Sequence, residues 1–174
     1  RTVTLSSLGK TFSLTGWKVG WAIASPDLSR AVRAAHQFIT FATATPLQHG
    51  AAAALSRIDE REQAIGDLLE HFRWAREFLA TGLEALGFRV HRPDGAYFIM
   101  ADWTHAGRAR SGQYADDAAF CRALTAEAGV AAIPPSVFYE HREHGRPMAR
   151  FAFCKRRETL EEGVRRLERW ANGA

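Results

Sequence analysis

The stretch that most constrains the fold is Val19-Gly20-Trp21-Ala22-Ile23-Ala24, an almost unbroken apolar run of strand length. Successive side chains of a strand point to opposite faces of its sheet, so a run apolar at neighbouring positions calls for cover on both faces. It reads as a strand buried in a large sheet. Arg1-Thr2-Val3-Thr4-Leu5 reads as another strand, which runs straight into the loop between the two. No capping or initiating segment precedes it, and the expectation is the carboxy-terminal part of a longer protein.

Ser25-Pro26-Asp27 offers an N-cap hydroxyl, a proline at the first helical position and an acid in the first turn; Leu28, Val32, Ala35 and Ile39 follow at helical spacing. Thr45-Pro46 starts a further helix in the same way. From about Arg61 to Leu86, the positions of Ile65, Leu68, Leu69, Phe72, Leu79, Leu83 and Leu86 predict a long helix with one broad apolar face, fit to connect two domains. Beyond Gly87 the pattern changes to short strands over 88–91 and 96–101, a polar loop, a helix over 115–128, and strands over 130–133 and 149–153. A last helix is expected near Thr159-Leu160-Glu161-Glu162, which has the order of a capping box, with Leu160, Val164, Leu167 and Trp170 or Ala171 on its apolar stripe.

With 47% hydrophobic and 24% charged residues, the 174-residue chain suits a soluble globular protein rather than a disordered one. No apolar run is long enough to span a bilayer, and the first residues lack the regions of a signal peptide, so a cytoplasmic location is the default expectation. Cys121 and Cys154 lie in apolar stretches and read as reduced core thiols. The net charge of +4 is spread along helices and over Arg108-Ala109-Arg110-Ser111-Gly112. No basic stripe interleaved with aromatics accompanies it, so an acidic small molecule is a simpler partner than a nucleic acid. His141 and His144 have an H-x-x-H spacing in a charged, glycine-containing loop, and no metal site is expected from them alone. The other histidines are scattered, and no Gly-x-Ser-x-Gly elbow occurs.

The chemistry-bearing segment is Ser7-Leu8-Gly9-Lys10-Thr11-Phe12-Ser13-Leu14-Thr15-Gly16-Trp17-Lys18-Val19-Gly20. Gly9-Lys10-Thr11 looks like the end of a P-loop, but the first glycine of that motif would fall on Thr4. As an isolated tripeptide it would more often be a solvated surface lysine. Further along, Met148-Ala149-Arg150-Phe151-Ala152-Phe153 alternates strand faces, with Arg150 opposite to Phe151 and Phe153. Taken alone, such an arginine is more often a structural ion-pair partner.

Taken together, the lysine segment, Pro93-Asp94-Gly95-Ala96-Tyr97-Phe98, Val130-Ala131-Ala132-Ile133-Pro134-Pro135-Ser136-Val137-Phe138-Tyr139 and Arg150-Phe151-Ala152-Phe153-Cys154-Lys155 resemble the class I/II aminotransferases of fold type I. The Gly16-Trp17-Lys18-Val19-Gly20 form is similar to the kynurenine, glutamine and methionine aminotransferase branch, and the tail is similar to N-succinyldiaminopimelate aminotransferases. The resemblance implies an α/β fold with the carboxy-terminal part of a cofactor-binding large domain over 1–60, then a connecting helix and small α+β domain over 61–174. It implies pyridoxal 5'-phosphate as cofactor, amino-acid and 2-oxo-acid substrates, and a homodimer.

Lys10 would then form the covalent bond to the cofactor aldehyde, since a lysine amine that sheds its proton can condense with a carbonyl. Ser7 and Lys18 would bind the phosphate, the lysine as a point charge where most relatives carry an arginine fork. Gly9 and Gly16 would let the backbone pass close to the ring. Arg150 would hold the substrate carboxylate, Phe138 would line the side-chain pocket, and Phe41 would reach the neighbouring subunit's site. The family's other cofactor contacts precede the lysine and have no counterpart in this sequence, so the chain alone is not expected to catalyse the reaction. The same segment would serve a β-lyase acting on sulfur amino acids, or a pyridoxal-phosphate-sensing regulator.

Overall fold

The computed structural model describes residues 2–107, 109, 112 and 114–173, with the backbone alone for 58–64. Arg108, Arg110 and Ser111 of the expected basic stretch lie outside the described residues. The chain divides into two compact units, Arg1–Asp67 and Leu68–Ala174.

In the first unit, β1 (Val3–Ser7) and β2 (Gly20–Ala24) form an antiparallel pair running from Val3 opposite Ala24 to Ser7 opposite Gly20. The expected burial of β2 is not found: Ile23 is 63% exposed and Leu5 on β1 is 76% exposed. Among the described residues these strands pair only with each other, and a two-stranded ribbon buries little. Helix α1 (Pro26–Ile39) starts at the expected proline, and the Ser29 N–H donates to the Ser25 carbonyl at 2.8 Å. Its apolar stripe is uncovered, with Ile39 81% exposed. Helix α2 (Thr45–Ser56) takes Ala44 as its cap, so Thr45 lies inside the first turn, and Gln48 reaches back to the Thr43 carbonyl instead. The core of this unit is small: Leu8, Val19 and Ala51 are buried, with Phe12, Leu14, Trp17, Leu47 and Leu55 packed against them.

Helix α3 (Ile58–Ala85) is the long helix foreseen over 61–86, and it contains the boundary between the units. In the second unit its Ala75, Leu79, Ala80 and Leu83 enter the core, while Leu69 on the expected face stays exposed.

The second unit is built on an antiparallel sheet, ordered β3 (Arg89–His91), β4 (Phe98–Asp102), β5 (Met148–Ala152). The strand expected over 130–133 shrinks to a single bridge, Ile133 to Arg150. Pro134 and Pro135 follow at once, and residues without an N–H cannot extend a ladder. Helix α4 (Asp117–Ala128) is capped by Asp116, whose Oδ1 accepts from the Ala119 N–H at 2.8 Å. Helix α5 (Arg157–Asn172) begins two residues before Thr159, which falls in its first turn, so the expected capping box does not form. Its stripe is as foreseen, with Leu160, Val164, Leu167 and Trp170 all buried. Its exposed side carries Glu162 hydrogen-bonded by Arg166 and Arg165, which hold that carboxyl below the usual range.

Phe120 is the centre of the core, stacked on Trp103 at 4.7 Å and edge-on to Phe88, Tyr114 and Trp170. Truncating a buried aromatic of this kind costs about 3–5 kcal/mol. Cys121 is buried beside it, but Cys154 is only half-buried, so one of the two expected core thiols is partly accessible.

Candidate functional site

In the first unit the sequence fixes the lysine loop by its apolar flanks. Leu8 is fully buried on one side of Lys10, and Phe12, Leu14 and Trp17 are held on the other. The loop is tied by the Leu8 N–H to the Val19 carbonyl, the Phe12 N–H to the Leu8 carbonyl, and the Thr15 hydroxyl to the Gly9 carbonyl at 2.9 Å. Between those anchors Lys10 is exposed, as are Ser7 at the end of β1 and Lys18. The strand register sets Ser7 opposite Gly20, two residues beyond Lys18. A Cβ on Gly20 would stand 2.7 Å from the Ser6 carbonyl, so this approach requires glycine. Gly9 and Gly16 are different: neither has a positive φ, and a Cβ at either meets ordinary contact or open space within the chain.

Backbone strain is found at two of the residues singled out from the sequence. Lys18 has φ 54° and Phe41 φ 67°, both in the left-handed region that side chains rarely adopt. The Phe41 ring is 82% exposed.

In the second unit Arg150 sits mid-strand on β5, with its side chain on the face opposite the buried Phe151 and Phe153, as the alternation requires. Its guanidinium carbon lies over two rings, 4.8 Å from the Phe98 centroid and 5.0 Å from that of Phe138. Phe98 is a diagonal neighbour across the sheet, because Arg150 is registered with Met100. Phe138 arrives from the short 3-10 turn Ser136–Phe138. Among the described residues no carboxylate stands within ion-pair distance of Arg150. Among the described residues, then, Arg150 is not engaged in the structural ion pair expected of an isolated strand arginine. A cation with aromatic faces beside it and donors left over can take a ligand carboxylate through two parallel hydrogen bonds.

The expected residues thus fall into two groups: Ser7, Lys10, Lys18 and Phe41 in the first unit, Arg150 and Phe138 in the second. Phe98 was missed, although its place two residues from the partner of Arg150 follows once the strands are paired. A cavity of ≈ 580 Å³ opens beside α5, lined by Val130, Phe151, Lys155, Leu160 and Arg166 among others, and none of the expected site residues lines it. His141 and His144 meet edge to face in an exposed turn, and no group of three potential metal ligands occurs among the described residues. No helix is long and apolar enough to cross a membrane among those residues.

Comparison with known proteins gives the family of the chain. The family model for aminotransferase class I and II matches residues 1–167. A probable N-succinyldiaminopimelate aminotransferase DapC of Mycobacterium tuberculosis is 39% identical over 96% of this chain and 42% of its own length. A kynurenine–oxoglutarate transaminase of Dictyostelium discoideum is 36% identical over 93% of this chain and 40% of its own. The solved N-succinyldiaminopimelate aminotransferase from Mycobacterium tuberculosis superposes with a TM-score of 0.80 at 41% identity, covering 96% of this chain and 41% of that one. The chain therefore spans about two fifths of the relatives it matches. It belongs to the class I and II aminotransferases, with the α/β architecture of fold type I.

Proposed function

We propose that the protein is a pyridoxal-phosphate-dependent aminotransferase that moves an amino group from an L-amino acid to a 2-oxo acid. The observation that carries this reading is Arg150, whose guanidinium lies against Phe98 and Phe138 with no carboxylate of the described chain paired to it. In the same family-matched chain, an exposed lysine amine, a hydroxyl and a second ammonium at Lys10, Ser7 and Lys18 form a donor set that fits a phosphorylated aldehyde. Residues 1–60 would belong to the cofactor-binding domain and 61–174 to the connecting helix and small domain.

When bound, pyridoxal phosphate supplies the electron-withdrawing ring that makes the substrate Cα–H acidic. The chain's own residues supply the rest. Ser7 would donate a hydroxyl hydrogen bond to the phosphate and Lys18 would add a compact positive charge, an arrangement less directional than an arginine fork. Lys10 would hold the cofactor through its aldehyde, and its amine would hold and move the proton at the substrate Cα. Arg150 fixes the substrate by its carboxylate, and the two rings beside the guanidinium keep water from its faces. We also assign a homodimer, in which the exposed Phe41 ring would complete the partner's site; Phe38 and Ile39 beside it, 87% and 81% exposed, are apolar enough to be covered in the same contact.

The test is borohydride reduction of the full-length protein with pyridoxal phosphate, followed by peptide mass mapping. A label on Lys10 supports the reading, and a label elsewhere or none overturns it. Assaying 2-oxo acid formation against release of pyruvate with ammonia separates amino transfer from β-elimination.

A further inference from the structure

Asp117 is a buried acid that the scheme above leaves unused. It is 1% exposed in the first turn of α4. Its Oδ2 accepts the Ser136 N–H at 2.7 Å, and its Oδ1 makes no hydrogen bond among the described residues. Burying a carboxylate is costly, so its one strong bond should matter to the structure around it.

That bond holds the turn facing Arg150. The Ile133 N–H and carbonyl both bond the Arg150 backbone at 3.0 Å; the chain then passes through Pro134 and Pro135 and returns at Phe138, whose ring lies over the Arg150 guanidinium. Neither proline offers an N–H, so the Ser136 amide is the first donor after Ile133 that can anchor the turn. The Phe138 N–H closes it onto the Pro135 carbonyl at 2.9 Å. Gly145 supports it from another side: a Cβ there would stand 2.5 Å from the Ser136 Cα.

We propose that Asp117 is a positioning residue for recognition of the substrate carboxylate. By accepting the Ser136 N–H it fixes the 133–138 turn, and so sets the Phe138 ring against Arg150 and the direction in which the guanidinium presents its donors. Asp117 itself does not touch substrate. This inference rests on the reading of Arg150 as the carboxylate fork.

The test uses the full-length holoenzyme and two inhibitors, 3-phenylpropionate, which has a carboxylate and no amine, and 2-phenylethylamine, which has the reverse. Asp117→Ala is expected to weaken 3-phenylpropionate about tenfold and 2-phenylethylamine by less than about twofold, the size of one lost charge-assisted hydrogen bond acting on one ligand group. Asp117→Asn keeps an acceptor and should recover to within about threefold for the acid. If the alanine variant does not fold, that smaller loss, confined to the acid, carries the test. Equal weakening of both inhibitors, or of neither, overturns the proposal and leaves Asp117 a purely structural residue. Arg150→Lys separates the two levels: if it leaves 3-phenylpropionate binding intact, the carboxylate role of Arg150 falls, whereas a loss there with Asp117→Ala neutral sinks the Asp117 proposal alone.

Discussion

Cys121 lies one helical turn along α4 from Asp117, and its thiol is pushed up to about 12 from an ordinary 9.0, first by burial and then by the charge of that carboxylate. The raised value means that the folded state keeps the proton while the unfolded chain releases it. Stability from this group is complete below the unfolded value and is lost as pH climbs from 9.0 towards about 12. Denaturant midpoints of wild type and Cys121→Ala should therefore converge as pH rises through this window. In native protein a thiol alkylating agent should label the half-buried Cys154 first and reach Cys121 only on unfolding. Equal labelling of both would contradict the burial of Cys121.

Replacing Arg150 by lysine keeps the positive charge and removes the planar fork. The ammonium cannot make two parallel bonds to a carboxylate, nor lie as flat against Phe98 and Phe138. Steady-state kinetics of the full-length enzyme should show kcat/KM for the amino donor reduced by about 10–100-fold, mostly through KM. A change in kcat alone would mean that Arg150 acts at the chemical step rather than in binding.

What could be read from the sequence divides by how local its physical cause is. The stripe Leu160, Val164, Leu167, Trp170 was legible because helical periodicity is written within four turns of chain. The alternation that turns Arg150 away from Phe151 and Phe153 was legible for the same reason. The helix start was not: Thr159 has the right neighbours for a cap, yet the helix is already under way at Arg157. Burial of Val19 came out as expected while Ile23 stayed exposed, because cover depends on what packs against a strand and not on the strand. Asp117 was missed because an acid in a helix's first turn reads as a favourable partner for the helix dipole. Its burial depends on a turn nineteen residues later, which no local pattern announces.

The left-handed backbone at Phe41 should be separable from the work of its ring. Glycine and alanine both remove the ring, so the difference between them reports the backbone alone, where at φ 67° a Cβ is strained. Phe41→Gly should be more stable than Phe41→Ala by about 1 kcal/mol, since alanine keeps the strain and glycine releases it. Thermal or denaturant unfolding of the two variants checks the order. If the ring completes a partner's site, both variants should lose turnover alike.

Gly145 gives a test of the same turn from the side opposite in chemistry to Asp117, through volume in place of charge. An alanine methyl would stand 2.5 Å from the Ser136 Cα and 2.7 Å from its nitrogen, and both are backbone atoms that cannot rotate away. The turn must shift as a whole, which carries the Phe138 ring with it. Overpacking of this kind costs about 1–3 kcal/mol, so Gly145→Ala should lower the unfolding midpoint and also weaken the amino donor more than Gly163→Ala, a helical substitution into open space. Matching effects from the two variants would show that Ser136 tolerates displacement and that the turn is not held to a single geometry.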